Sequence, residues 1–428
     1  MLYKEKIKDN HILKNISWDI KKIKEADIKF IDGDRGKNYP SGNEIKSTGH
    51  CVFLDAKNIT KFGFNIDKLN FIDLEKDSIL KKGKLELNDI IITTRGTLNN
   101  IAWYSNEIKR KIPCARINSG MVIVRLGEKN DPNFINFFFK SKLWKEQCNN
   151  SGGVIPQLTI AKMNENYIID VKIKEQKRIA DVLSKQESII NKTKALIEQL
   201  DKRNTFMLDE LLSGRLRIKE ENGKMEFYKN PDDNWQTVLM NGENIKIPLD
   251  WDILSLEHSD CSMGETILKS NILTEGEYPV YSATESDKIF GYMNNPKKIL
   301  EIGDLIIPAR GNSIGYVKIA KQKCTSTQTT IQLKVDKITP IYLSNVLNNK
   351  RSDFFPISGG AIPQITISQV KSIKISKPKQ EKEIVYITNI IEKLNDEKER
   401  YEELLIEEQK KFDFLLEELM SGRLRIEE

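Results

Sequence analysis

SGGVIPQLTIAKM at Ser151–Met163 and SGGAIPQITISQV at Ser358–Val370 are one phrase written twice, 207 residues apart. Downstream, each copy is followed by a long heptad segment with a nearly identical ending: ELLSGRLRI at Glu210–Ile218 and ELMSGRLRI at Glu418–Ile426. Upstream, each is preceded by a related opening, ISWDIKKI at Ile16–Ile23 and LDWDILSL at Leu249–Leu256. Chance does not place such sets in the same order. The chain is two copies of one unit, each a globular domain followed by a helix.

The heptad segments explain why the copies belong together. The first runs from about Glu175 to Leu212, with core positions Ile179, Leu183, Gln186, Ile190, Thr193, Ile197, Leu200, Asn204, Met207 and Leu211. The second runs from about Gln380 to Met420, through Ile384, Ile387, Ile391, Leu394, Lys398, Tyr401, Leu405, Glu408, Phe412, Leu415 and Leu419. Alternating three-four spacing over this length is a coiled-coil pattern, and one such helix cannot bury its seam alone. The two most simply pack on each other, with polar seam residues fixing register. Gly214 and Gly422 suit helix C-caps. At about 1.5 Å per residue each helix is a spacer of ~55–60 Å. Counted from Ile179 and from Ile384, the second helix is expected to carry about one extra turn near its start.

Between the repeated parts the text differs. Trp18 to Gly153 spans 135 positions and Trp251 to Gly360 spans 109, so the first domain carries insertions, among them FIDGDRGKNYPSG at Phe30–Gly42. Both domains contain an apolar run entering an Arg-Gly turn: NDIIITTRGT (Asn88–Thr97) and GDLIIPARGN (Gly303–Asn312). These read as strands with Arg95 and Arg310 on loops at their ends. Trp18 and Trp251 are expected in the core at equivalent places. Residues 219–247 read as a loop-rich connector.

Net charge is +6 over 428 residues, but unevenly placed. From Lys379 to Glu428 there are 9 Lys/Arg and 15 Asp/Glu, a net of −6, so the rest of the chain carries +12. Regional basicity is what phosphate binding requires. No apolar run approaches the ~20 residues of a membrane span, and the N-terminus has no signal-peptide core, so a cytoplasmic location is expected. Five scattered cysteines without a CxxC suggest neither a disulfide framework nor a zinc site, and are expected as inert thiols.

Catalytic patterns are missing. Three isolated histidines, no phosphate-binding glycine loop, no GxSxG elbow and no Asn/Asp-Pro-Pro-Tyr/Phe methyltransferase tetrapeptide argue against an enzyme. The loops instead carry residues suited to nucleic acid: Arg35, Lys37 and Asn38; Thr94, Arg95, Thr97 and Asn99; Arg116 and Asn118; and, in the second domain, Arg310, Asn312, Ser313, Thr327 and Gln328. Arginine reads guanine, Asn and Gln read adenine, and Lys, Ser and Thr hold phosphates. The competing reading is ordinary turns, with Arg35 paired to Asp32 or Asp34. Gln157 and Gln364, within the repeated phrase, read as parts of a structural hinge.

The duplicated order W-D-I, strand-Arg-Gly, S-G-G-x-I-P-Q, heptad helix, S-G-R-L-R-I resembles the specificity subunits of type I restriction–modification systems over essentially the whole chain. GDRGKNYP and RINSGM (Arg116–Met121) resemble a recurrent variant of that family's first recognition domain. The resemblance implies an α+β fold with two α/β target recognition domains and two long helices in an antiparallel coiled coil, an internal pseudo-twofold repeat. The expected boundaries are 1–170 and 219–376 for the domains, and 171–218 and 377–428 for the helices. It implies a non-catalytic, DNA-binding subunit for DNA modification and phage defence, reading a bipartite asymmetric double-stranded site. Partners would be two methyltransferase subunits, then restriction/translocase subunits. S-adenosylmethionine, ATP and Mg²⁺ would belong to those partners. The expected docking and spacer residues are Ile179, Leu183, Ile190, Ile197, Leu200, Met207 and Leu211, with Ile387, Ile391, Leu394, Tyr401, Leu405, Leu415 and Leu419. Alternatives are a specificity subunit serving a fused methyltransferase-nuclease, a coiled-coil scaffold bearing two ligand-binding domains, and a stand-alone nuclease.

Overall fold

A computed structural model describes residues 16–61, 63–149, 158–284, 288–355 and 364–426. Residues 151–157 and 358–363 of the two SGG phrases, Gln157 included, lie outside the described residues. The chain divides into two compact units: Met1–Lys194 with Glu403–Glu428, and Ala195–Glu402. Each therefore joins the domain of one copy to the helix end of the other.

In the first unit a four-stranded antiparallel sheet has the order Ile28–Asp32, Met121–Leu126, Ile90–Thr93, Ile101–Trp103. The triplet Ile90–Ile92 is fully buried, as an apolar run between two packed faces should be. A three-stranded sheet, Phe71–Ile72, Cys51–Leu54, Ala115–Ile117, contains a parallel pair. Asp19–Lys22 pairs with Tyr167–Asp170 and closes the domain. Asp131 caps helix Pro132–Lys140, with proline at its first position. That helix delivers Phe134, Phe137, Phe138 and Phe139 into a core shared with Trp18, Trp144, Ile179, Leu183, Ile190, Leu416 and Leu419. Phe137 packs on Phe412, ring centroids 6.0 Å apart.

The second unit repeats this plan. Its four-stranded sheet runs Cys261–Met263, Thr330–Leu333, Leu305–Pro308, Lys318–Ile319. Its three-stranded sheet is Gly291–Met293, Tyr278–Tyr281, Thr325–Ser326, again with one parallel pair. Trp251–Ser255 pairs with Lys374–Pro378. The copies thus share strand topology as well as frame, which the unlike sequences between the repeats do not reveal. Trp18 and Trp251 are both buried.

The long helices are Ile173–Leu212 and Glu381–Ser421, 40 and 41 residues. The expected extra turn is absent. The residue 208 positions before Ile384 is Gln176, buried as a seam residue should be. Its amide donates to Val171 O at 2.7 Å and accepts from Asp131 N–H at 2.8 Å. The first seam begins with this glutamine, which a count of apolar positions passes over. In the first unit the start of one helix lies antiparallel to the end of the other, and Gln186 bonds Glu408. In the second, Asn204 donates to Leu394 O at 3.0 Å and Lys398 pairs with Asp201 at 2.7 Å. Gln186, Asn204, Lys398 and Glu408 are satisfied across the seam, as register-fixing groups must be.

Two further expectations are corrected. Residues 216–248 are two β-hairpins, Leu216–Glu221 with Lys224–Lys229 and Trp235–Met240 with Glu243–Pro248. Each turns on Asn-Gly with both residues at positive φ, the geometry that matches strand twist. And Cys51 and Cys114, 63 residues apart, are joined in a disulfide because adjacent parallel strands bring their Cα atoms to 4.8 Å. Cys148, Cys261 and Cys324 lie outside any disulfide. Among the described residues no helix is long and apolar enough to cross a membrane.

Candidate DNA-recognition loops

In each domain three strand ends of the four-stranded sheet bring the loops together. In the first they are the end of Ile28–Asp32, the end of Ile90–Thr93 and the start of Met121–Leu126. Thr94 N–H donates to Gly120 O at 2.8 Å, tying the Arg95 loop to the Asn118 turn. Asn118 holds that turn through its side-chain oxygen, which accepts from Gly120 N–H at 2.8 Å. Gly33 packs so closely that a Cβ would lie 2.3 Å from Asn118 O, so only glycine fits. In the second domain the ends are those of Cys261–Met263 and Leu305–Pro308 and the start of Thr330–Leu333. Ala309 N–H donates to Thr329 O at 2.9 Å, and a Cβ on Gly264 would lie 2.1 Å from Thr327 O. Gly33 and Gly264 are the same device, and nothing in the sequence pattern marks either.

The residues expected to meet DNA fall into three groups. Lys37, Arg95, Thr97, Arg310, Asn312 and Gln328 are exposed on these loops. Asn38, Asn99, Asn118, Ser313 and Thr327 are half-buried. Asn99 serves a turn at φ 60°, Thr327 Oγ1 lies 2.7 Å from Thr329 Oγ1, and Gln328 Oε1 accepts from Thr266 Oγ1 at 2.8 Å. Arg310 sits opposite Gln364 in an isolated β-bridge. Arg35 is half-exposed and forms the ion pair with Asp32, at 2.9 Å, that the ordinary-turn reading foresaw.

Two residues are corrected. Thr94 is buried. Arg116 is buried and its guanidinium is spent internally: on Asp77 Oδ1 at 2.5 Å, and on the carbonyls of Lys82, Asp77 and Leu80 at 2.7–2.9 Å. It is a strut for the segment 77–82. Asp77 also pairs with Lys84 at 2.5 Å. Burial opposes ionisation of Asp77, but the bonds from Lys84 and Arg116 prevail and hold its carboxyl below the usual range. Among the described residues, His50, Asp77 and Cys114 approach one another closely enough to hold a metal. Asp77 is committed to two cations and Cys114 to the disulfide, so the trio lacks the free donors a cation needs.

The expected docking residues face inward. Ile179, Leu183, Ile190, Leu200, Leu211, Ile387, Ile391 and Leu419 are buried, and Ile197, Met207, Leu394, Tyr401, Leu405 and Leu415 half-buried. They build the seam, and the eight buried ones offer no surface to another subunit. The outer helix faces carry Phe206 and Phe414, exposed at 64% and 62%. Each lies eight residues before its cap glycine, so they are equivalent positions of the repeat.

Residues 248–407 match the family model of the type I restriction modification DNA specificity domain. A protein of Methanocaldococcus jannaschii, named for the specificity subunit of the type I restriction enzyme MjaX, is 22% identical over 440 residues, covering 96% of this chain and 94% of its own length. The S subunit of a type I restriction-modification system from M. genitalium has the same fold, with a TM-score of 0.55 at 16% identity over 97% of this chain and 98% of its own. A chain from a structural study of type I R-M complex assembly and conformational transition gives 0.59 at 18% identity, over 95% and 98%. Residues 248–407 thus match the specificity-domain model, and over nearly its whole length the chain is similar in sequence to one such specificity subunit and shares its fold with solved chains of type I systems.

Proposed function

We propose that this chain is the DNA-reading subunit of a type I restriction–modification complex. Each domain reads one half of a bipartite, asymmetric duplex site with the loops at its three strand ends. The paired helices set the spacing between the halves and seat two methyltransferase subunits, to which restriction/translocase subunits add. S-adenosylmethionine, ATP and Mg²⁺ act on those partners, and this chain contributes recognition rather than catalysis. The observation that carries the reading is one sheet topology used twice with different loop chemistry: Arg35, Lys37 and Asn38 follow one strand end, whereas Glu265 and Thr266 follow its equivalent. Phe206 and Phe414, the same exposed aromatic at the same place in both copies, support two copies of one partner.

The test is to express the chain with a type I methyltransferase subunit from the same host and map the methylated sites. A bipartite motif is expected. Arg95→Ala should weaken or relax one half of it and Arg310→Ala the other. If either change altered both halves equally, two independent readers would be the wrong description. Cleavage of DNA by the purified chain with Mg²⁺ alone would refute the non-catalytic role.

A further inference from the structure

One more device is built twice. Asp34, directly after Gly33, accepts the backbone N–H groups of Lys81 and Lys82 on one carboxylate oxygen, the latter at 3.0 Å. Glu265, directly after Gly264, accepts those of Lys297 and Lys298 at 2.7 and 3.4 Å. All four lysines are exposed. Each pair opens the segment that leads into the strand bearing the Arg-Gly loop, and each is tied by its acid to the loop after the first strand of the four-stranded sheet.

We infer that Lys81–Lys82 and Lys297–Lys298 are two equivalent clamps for DNA backbone phosphates, one beside each half-site. The inference rests on the DNA-reading function proposed above. Loops that differ between the domains suit what differs between the half-sites, the bases. A pair held by the same kind of acid-to-backbone contact in both suits what the half-sites share, the sugar–phosphate backbone. The ammonium group is a compact charge with three donors, fit for phosphate but not for reading a base pair bidentately.

The anchoring acids do not cancel this charge by direct pairing, because they are turned to backbone amides. For Asp34, partial burial opposes ionisation, but the amides of Lys82, Lys81 and Arg35 prevail and keep its carboxyl below the ordinary range. The neighbouring charges have their own partners: Arg116 with Asp77, Lys84 with Asp77, and Lys323 with Glu301 at 3.1 Å. Lys298 Nζ donates to Met263 O at 2.6 Å, which fixes its position and leaves two of its donors for a ligand.

The experiment uses the complex reconstituted with its methyltransferase. Two labelled duplexes of equal length serve as probes, one carrying the mapped site and one of random sequence, titrated from about 50 to about 200 mM salt. Replacing Lys81 and Lys82 together by Ala should lower the slope of log affinity against log salt by ~0.9 for each phosphate no longer neutralised. Both duplexes should weaken by the same factor, leaving their ratio unchanged. Lys297→Ala with Lys298→Ala should do the same, and all four together should add. Asp34→Ala, which frees the segment while keeping both lysines, should reproduce part of the slope change. Unchanged slopes in both double variants overturn the inference, as does a changed preference between the duplexes at constant slope. Failure of the unmodified complex to prefer the mapped duplex would instead overturn the DNA-reading function itself.

Discussion

The indole Nε1 of Trp18 donates a hydrogen bond to the backbone carbonyl of Leu419 at 2.8 Å, across 401 positions of sequence. The same ring rests on Gly422, where a Cβ would come within 2.9 Å of it, and the Arg425 guanidinium stacks 3.3 Å above its centre. The W-D-I phrase of the first copy is thus seated on the S-G-R-L-R-I phrase of the second. In the other unit Trp251 meets Gly214, with a Cβ at 3.1 Å from the ring, and Arg217 lies 5.8 Å from its centre between Glu383 and Asp250. The repeated phrases are similar because each is half of the same joint.

That joint should respond to a single methyl group. Gly214 and Gly422 both have φ of +75°, where an L side chain costs about 1–2 kcal/mol before any clash. Gly422→Ala adds the collision with Trp18, and Gly214→Ala a collision with Trp251 and Pro248 at 2.5 Å. Each should lower the melting temperature by several degrees, at roughly 2–4 °C per kcal/mol for a unit of this size. Gly223→Ala, also at positive φ but with open space around it, should cost less. Equal melting shifts for the three would show that the ring contact contributes nothing.

Arg116 and Asp77 form the buried brace under Lys81–Lys82, and removing one partner strands the other. Arg116→Met should destabilise the protein by about 3–5 kcal/mol, the range for breaking a buried pair. Asp77 and Asp34 both have lowered carboxyl values. Their contribution is therefore complete above the unfolded value of about 3.9 and is lost as pH falls through the lower folded values. Urea unfolding followed from pH 7 to pH 3 should show this contribution constant to about pH 4 and falling below it. In Arg116→Met that acid-dependent component should shrink. An identical pH profile in the variant would mean that Arg116 does not hold Asp77 ionised.

Much of this architecture is open to a reader of the sequence because it is written twice. The repeated ends, the W-D-I openings and the runs before Arg95 and Arg310 locate the frame and two strands. What escapes shares a cause: it depends on which residues meet, and a one-copy pattern does not say. Arg116 stands in a loop-like phrase, yet its neighbours on the adjacent strand and the segment 77–82 enclose it. Gln176 is polar and so leaves no mark on the apolar count, although its burial starts the seam. Gly33 and Gly264 lie outside the quoted repeats, and their role appears only once Asn118 and Thr327 close on them. The hairpins of 216–248 are legible: Asn222–Gly223 and Asn241–Gly242 are the strongest short hairpin signals, and the connector reading undervalues them.

The disulfide has a direct chemical check. Cys51–Cys114 closes a loop of 63 residues, which in the chain-entropy account stabilises by about 4 kcal/mol. Under denaturing conditions the protein purified without reductant should show three reactive thiols, those of Cys148, Cys261 and Cys324, and five after reduction. Burial pushes the thiols of Cys148 and Cys324 up to about 12 and that of Cys261 up to about 11, so all three should react slowly in the folded state. Five thiols without reduction would show the pair to be unbonded in the isolated protein.

Phe206 and Phe414 give the helices a prediction of stoichiometry. They lie off the seam, on outer faces, and their flanks repeat as well: Lys202 with Lys410, Arg203 with Lys411, Asp209 with Glu417 and Glu210 with Glu418. The acids are used locally, Glu210 by Arg215 and Glu418 by Arg423. The phenylalanines are mostly solvent-exposed instead, and large aromatics at the centre of an interface are where binding energy concentrates. Phe206→Ala and Phe414→Ala should each fold normally, since each ring packs little against the rest of the chain, and each should cost one bound methyltransferase by ~2 kcal/mol or more. Native mass spectrometry at limiting partner should then show a one-to-one species for each single variant and free chain for the double. Ile189→Ala is the control: Ile189 is exposed at 43%, but its counterpart in the repeat is Glu397, so it belongs to no duplicated surface. Two partners retained at unchanged affinity in both single variants would place the docking surface elsewhere on the helices.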